Sequence, residues 1–316
     1  MKRNISLDII RIIATLSVVA GHLFQSNIPP VLGPFTKHGG FGVALFFLLS
    51  GYLVTTSVLQ NPRWLSFLVL RSFRILPAYF LAVGLYAGLK LASGSPYTIQ
   101  ETVQYLTFTG YVGNIEPTLA GVEWTLRIEV LFYIIAVGWL YLRQSTLQRI
   151  DISRKFLLGS LLSFQIVFLI VTPYVTGDQR PFTIGQCIIV GILLKVTDKS
   201  PILYKCAMMF TSIIIAELSV RAGREQFDFI PFISIAFIVF VTGKSLPTIV
   251  NLTNGHVIQF AANCTYSIYL YHNWVLRKLL TVTQPLLAVI VFLVAVCITY
   301  HLTEKPINRL GRKLVQ

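Results

Sequence analysis

Four side chains able to do chemistry share the first apolar stretch, 7–26: Asp8, Arg11, Thr15 and His22. Arg11 and His22 are eleven positions apart, which on a helix is three turns plus about 20° and a rise of roughly 16 Å. A guanidinium and an imidazole therefore lie on one face, near opposite ends of a helix of membrane length. Asp8 and Thr15 fall within about 40° of the same line. A polar stripe on an apolar span is costly in lipid and must face protein or water. Imidazole titrates nearest neutral pH, which makes His22 the best general base of the group. The stripe reads as the lining of a reaction chamber that bridges the two sides of a bilayer.

Further along, Arg71 and Arg74 stand three apart, so on a helix their guanidiniums can converge on one anion. The bland reading is ordinary positive charge at a membrane's inner face, and the two weigh about equally. Glu123 and Arg127 are four apart and can neutralise each other. Glu129 lies deeper and has no basic partner on its face, so it is a functional candidate by position. Its alternative role, holding Arg11 or a tyrosine hydroxyl, weighs the same. Tyr266, Tyr269 and His272 step by three and give a polar, aromatic strip near the end of a span. Trp274 reads as part of an interfacial belt. His272 stands between interface filler and substrate contact.

These groups need a frame, and the composition limits its kind. The chain has 316 residues, 55% hydrophobic and 12% charged, where a soluble domain carries about 25% charged. That describes an all-α, polytopic membrane protein forming one domain over 1–316, with no separate soluble part. The net charge of +14 comes without a basic face or aromatic–basic repeat, which argues against nucleic acid. Cys187, Cys206, Cys264 and Cys297 lie in or beside apolar stretches without paired spacing, so they read as small buried residues rather than disulfides or metal ligands.

Stretches long enough to cross a bilayer fall at 7–26, 40–59, 75–93, 124–142, 156–173, 181–196, 202–220, 229–243, 258–276 and 285–303. With the N-terminus inside, 17 of the 26 Lys and Arg lie on the inner side and 7 on the outer, Arg11 and Arg127 being within spans. That asymmetry predicts about ten helices around a central polar cavity, with both termini cytoplasmic. Met1-Lys2-Arg3 resembles the start of a signal peptide, but Asp8 and Arg11 interrupt the apolar region that would follow, so a retained first span is expected. Gly39, Gly40, Gly42 and Gly51 in the second span suit close helix packing. Asn61-Pro62 opens an inner loop expected to carry Arg71 and Arg74. The segment 93–123 is the longest outer connection and could cover an outward mouth. Pro306 is expected to break the last helix, with Glu304 and Lys305 as inner-surface anchors.

Several landmarks then coincide in order. They are Arg11 and His22 within Leu7-Asp8-Ile9-Ile10-Arg11, Gly42 through Leu53, Arg71-x-x-Arg74 with Pro77, Trp124-Thr125-Leu126-x-x-Glu129-x-x-Phe132-Tyr133, Tyr266 through His272, and Glu304-Lys305-Pro306. Each is weak alone; six in order make the chain resemble, over nearly its whole length, the membrane acyltransferase-3 family of bacterial cell-surface carbohydrate O-acyltransferases. The resemblance implies an acyl donor, usually acetyl-CoA, entering from the cytoplasm, and a carbohydrate hydroxyl as acceptor. It implies that Arg11 and His22 are the family's essential pair and that Arg71 and Arg74 sit near the donor. Glu129 is then expected to orient the imidazole, and Trp124, Tyr269 and His272 to meet substrate. The inner membrane is the expected location, membrane lipid the expected surroundings, and no metal is called for; the oligomeric state is left open. Some relatives carry an added esterase-like domain, and here any such step is expected to fall to another protein. The competing reading is a transporter or flippase of lipid-linked saccharide, which also needs polar residues within the membrane. The missing inverted repeat lowers that reading.

Overall fold

The computed structural model describes residues 4–23, 39–60, 63–109, 118–145, 154–174, 180–222 and 255–316. Among these the chain is helical and contains no strand. The helices are α1 (Ile5–Leu23), α2 (Gly40–Gln60), α3 (Trp64–Ala92), α4 (Ile99–Thr107), α5 (Trp124–Ser145) and α6 (Arg154–Val171). They continue as α7 (Arg180–Val196), α8 (Ile202–Ala222), α9 (Gly255–Tyr271), α10 (Arg277–Val282), α11 (Pro285–Thr299) and α12 (Lys305–Leu314). Seven helices are long and apolar enough to cross a membrane, and Pro181–Val196 is a shorter apolar one. Each expected span overlaps helix among the described residues except 229–243, which lies outside them, as do residues 24–26 of the first span. The protein is a multi-pass membrane protein by the length and composition of these helices.

The chain forms two compact units, one of residues 1–60 and 145–262, the other of 61–144 and 263–316. In the first unit α2 lies against α1 and α7, and glycine makes both contacts. A Cβ on Gly42 would strike the Ala14 carbonyl and Val18. A Cβ on Gly51 would strike the Ile188 carbonyl, and one on Gly191 the Leu48 carbonyl. Between the contacts Phe47, Leu48 and Leu49 are wholly enclosed. Because lipid is as apolar as leucine, close backbone approach and dispersion hold such helices together. Packing alone thus accounts for Gly42 and Gly51.

The second unit departs from expectation twice. Arg71 and Arg74 sit not in a loop but inside α3, which starts at Trp64 rather than 75 and runs through Pro77. Buried Ser66, Phe67, Ile75 and Ala78 pack that half of the helix, and packing offsets the local cost of the proline. At the other end Pro306 does not stop the helix. A π turn over Tyr300–Glu304 follows α11, and the helical run continues through Pro306 into α12. Glu304 is accordingly not a surface anchor; it is 4% exposed. A second π turn, His272–Leu276, follows α9.

The connection between α3 and α5 has structure of its own. Thr98 caps α4 through the Glu101 N–H, while the Glu101 carboxylate accepts from the Thr98 N–H at 2.7 Å and from its hydroxyl at 2.8 Å. These bonds hold the Glu101 carboxyl below its ordinary range. Tyr105 is buried against α3, where its carbonyl accepts from the Tyr79 hydroxyl at 2.9 Å. Leu119 and Ala120 adopt left-handed backbone at φ 57° and 54°, just before α5.

Candidate active site

In the first unit, α1 carries all four residues of the opening stripe on one continuous helix. Its buried residues are Asp8, Ile10, Ala14, Thr15, Val18 and Gly21. At about 100° per residue these occupy an arc of about 160° that contains the direction of Arg11 and His22. Leu16 and Ile13, 55% and 42% exposed, lie across the helix. The arginine and the imidazole therefore point to the protein side, each half-buried. Arg11 Nη1 stands 3.9 Å from Asp8 Oδ1, and the Thr15 hydroxyl donates to the Arg11 carbonyl at 3.0 Å.

In the second unit a charged and aromatic cluster gathers on α3, α5, α9 and the π turn after α11. The Arg71 guanidinium lies 5.3 Å from the centre of the Phe67 ring and 5.2 Å from that of Tyr133. The two rings meet edge to face at 6.0 Å. Both faces attract the cation. The Tyr133 hydroxyl donates to the buried Glu129 carboxylate, and both Arg71 and Arg74 act electrostatically on this tyrosine. Arg74 also acts on Glu304, whose carboxylate accepts from the Ser267 hydroxyl. The Tyr266 hydroxyl donates to the Ile75 carbonyl at 3.0 Å.

Towards the other end of α5, Glu123 and Arg127 form an ion pair at 2.6 Å, with side chains 0% and 2% exposed. Neutralisation within the pair is what the spacing suggested. Trp124, half-buried, opens α5. Next to it the Thr125 and Tyr269 hydroxyls are 2.5 Å apart, and Tyr269 also donates to the Val122 carbonyl at 3.2 Å. His272 is wholly buried, with Nδ1 2.8 Å from the Tyr269 carbonyl. The Asn273 amide donates to the Ala120 carbonyl and so pins the left-handed turn. Trp274 donates to the Leu270 carbonyl at 2.8 Å and meets Tyr86 edge to face.

Four members of the second cluster, Phe67, Tyr133, Ser267 and Glu304, are not among the residues to which the sequence assigns a site role. Tyr133 carries a readable signal, since it follows Glu129 by one helical turn. Ser267 and Glu304 each fall within one of the ordered motifs, but they are 37 positions apart and nothing in the spacing pairs them. No group of three or more His, Cys, Asp or Glu able to hold a metal occurs among the described residues. A groove of about 450 Å³ on α6, lined by Gly159, Ser160, Ser163, Phe164 and Val167, touches no residue of either cluster.

A helical, multi-pass protein with one buried and three half-buried arginines, buried carboxylates and a buried histidine is the class defined so far. The chain belongs to the acyltransferase-3 family: it matches that family's acyltransferase domain over residues 4–304. It is similar to nodulation protein 10 of Rhizobium leguminosarum bv. viciae, 36% identical over 29% of this chain and 31% of the relative. It is similar to the O-acetyl transferase of Shigella phage Sf6, 28% identical over 43% and 45%. To peptidoglycan O-acetyltransferase OatA of Listeria monocytogenes it is 22% identical over 97% of this chain and 56% of the relative. The match thus takes in less than half the length of the first two relatives. No solved structure matches the chain.

Proposed function

We propose that this protein is a membrane O-acyltransferase that moves an acetyl group from acetyl-CoA to a hydroxyl of a cell-surface or exported carbohydrate. Membership in the acyltransferase-3 family carries the reading; relatives named as O-acetyl transferase and peptidoglycan O-acetyltransferase point to the acyl group and the acceptor class. Acyl transfer from thioester to alcohol needs a base for the hydroxyl proton, charge to steady the oxyanion, and alignment of the two substrates. His22 is the proposed base. It takes the proton as the acceptor oxygen bonds to the acyl carbon; the carbon–sulfur bond breaks, and the thiolate leaves to be protonated. Arg11 is the proposed cation on the same face of α1, kept in place by Asp8.

Arg71 and Arg74 would hold the donor's phosphates, since guanidinium forks bind phosphate with directed, charge-assisted bonds. Their surroundings fit that role: both are half-buried, and Phe67 and Tyr133 fix the plane of the Arg71 group. Donor access from the cytoplasm accords with an inner-membrane location and cytoplasmic termini. Trp124, Tyr269 and His272 are proposed to shape the acceptor side, with Tyr269 acting through its bonds to Thr125 and Val122 at the start of α5. Glu129 completes the proposed catalytic set.

The test is mass spectrometry of envelope glycans from deletion, complemented and His22→Ala strains. A glycan should lose an increment of acyl mass in the deletion and His22→Ala strains and regain it on complementation. Unchanged acylation in the His22→Ala strain, with the protein still in the membrane, would remove His22 from the mechanism. Unchanged acylation in the deletion strain would remove the function and favour a saccharide transporter.

A further inference from the structure

We infer that α12 is an interfacial helix whose outer face binds the headgroups of anionic phospholipids. The inference does not depend on the proposed acyl transfer.

Length gives the first reason. The helical run Pro285–Leu314 has 30 residues, about 45 Å at 1.5 Å per residue, against a hydrocarbon core of about 30 Å. Its apolar part is α11, where Leu286, Leu287, Ile290 and Val294 are exposed as lipid-facing residues are. The remaining third is α12, which must leave the core at one end.

The second reason is how α12 divides its faces. Gly311 packs on α3, where a Cβ would strike Phe73. Half-buried Ile307 lies about 40° from Gly311 and points the same way. Leu310 and Leu314, 52% and 62% exposed, lie to one side of this contact and present apolar surface beside the protein. Lys305, Arg309, Arg312 and Lys313 fall within an arc of about 100° on the opposite side. Arg309, Arg312 and Lys313 are exposed. Residues 305–316 contain no acidic side chain, so nothing on this segment neutralises them. Arg63, exposed where α3 begins, adds a fifth cation on the half of α3 that α12 covers.

An amphipathic helix at the end of a span, with leucines beside a basic arc, matches the layered order of acyl chain and phosphate in a lipid leaflet. Each such cation near an anionic surface contributes about a fivefold gain in attraction, and salt screens it. The leucines favour lipid over a free anion, because only the lipid supplies acyl chains for them.

The detergent-solubilised full chain is mixed with phosphatidylglycerol or phosphatidylcholine of identical acyl chains, and retained lipid is counted by native mass spectrometry. Wild type should retain at least threefold more phosphatidylglycerol, with the preference falling as ammonium acetate rises. The Arg309→Gln/Arg312→Gln/Lys313→Gln variant should lose the preference. A milder Arg312→Gln/Lys313→Gln variant, altered only at the exposed end of α12, should lose part of it. Inorganic phosphate equimolar to the lipid should displace none. Equal retention of both lipids by wild type overturns the inference, as does an undiminished preference in the folded triple variant. Displacement by inorganic phosphate also overturns it and assigns the arc to free phosphate instead.

Discussion

The Arg71 guanidinium sits 5.2 Å from the centre of the Tyr133 ring, and the hydroxyl of that ring donates to Glu129. One tyrosine therefore holds a cation by its face and a carboxylate by its edge. Arg71 and Glu129 are connected through it across α3 and α5.

Tyr133→Phe tests this link. The ring and its cation–π contact remain, while the buried Glu129 carboxylate loses its hydroxyl donor. Leaving such a group short of one bond costs about 1–3 kcal/mol. Stability in detergent should fall by that order. If Glu129 belongs to the catalytic set, turnover should fall by at least about fivefold, the equivalent of ~1 kcal/mol in the barrier. A variant that unfolds earlier but keeps full turnover would make Tyr133 a packing residue only.

Glu304 leads to an unusual expectation, a gain of affinity. It opposes Arg74 electrostatically, and any anion bound by Arg74 feels the same negative charge. Glu304→Gln removes that charge and keeps a side chain able to bond Ser267. Binding of CoA, measured by calorimetry, should tighten about threefold to tenfold, as expected of a unit charge several ångströms away in a partly screened site. A purely structural role would weaken binding instead, and that result would separate Arg74 from the donor site.

Glycine contacts in the first unit can be compared with an open control. Gly51→Ala drives a methyl group into the Ile188 carbonyl, a backbone atom that cannot swing aside. The loss should be at least about 2 kcal/mol, as for other overpacked interiors. Gly84→Ala meets nothing within 4 Å and should be neutral or mildly stabilising, since alanine favours helix by about 0.5–1 kcal/mol. Thermal unfolding of the two proteins in one detergent checks the contrast; equal melting temperatures would contradict the close α2–α7 approach.

The capping box of α4 gives a pH dependence with a definite sign. The Glu101 carboxyl is held low by the Thr98 N–H and hydroxyl, so its folded pKa lies below its unfolded value of about 4.3. The stabilisation is fully present above that unfolded value and is lost as pH falls through the lowered folded one. Hydrogen-exchange protection at the start of α4, corrected for intrinsic rates, should be level from pH 8 to 5 and then decline in acid. Thr98→Val should abolish the acid step. An unchanged step in Thr98→Val would assign it to another group.

By itself the sequence determined the helical membrane class, most span positions and the single-faced stripe of α1. All three follow from local quantities: apolar run length, residue volume, and 100° per residue. The six ordered motifs supplied the family by the same kind of near-neighbour spacing. Tertiary structure decided what local rules cannot reach. Arg71 and Arg74 look like loop charges until Phe67 and Tyr133 are packed beside them, and packing carries α3 through Pro77. Glu304 looks like an interfacial anchor until the π turn directs it to Ser267, 37 positions away. The charge of a side chain is written in the chain; whether it meets water, lipid or another charge depends on which distant helix closes over it.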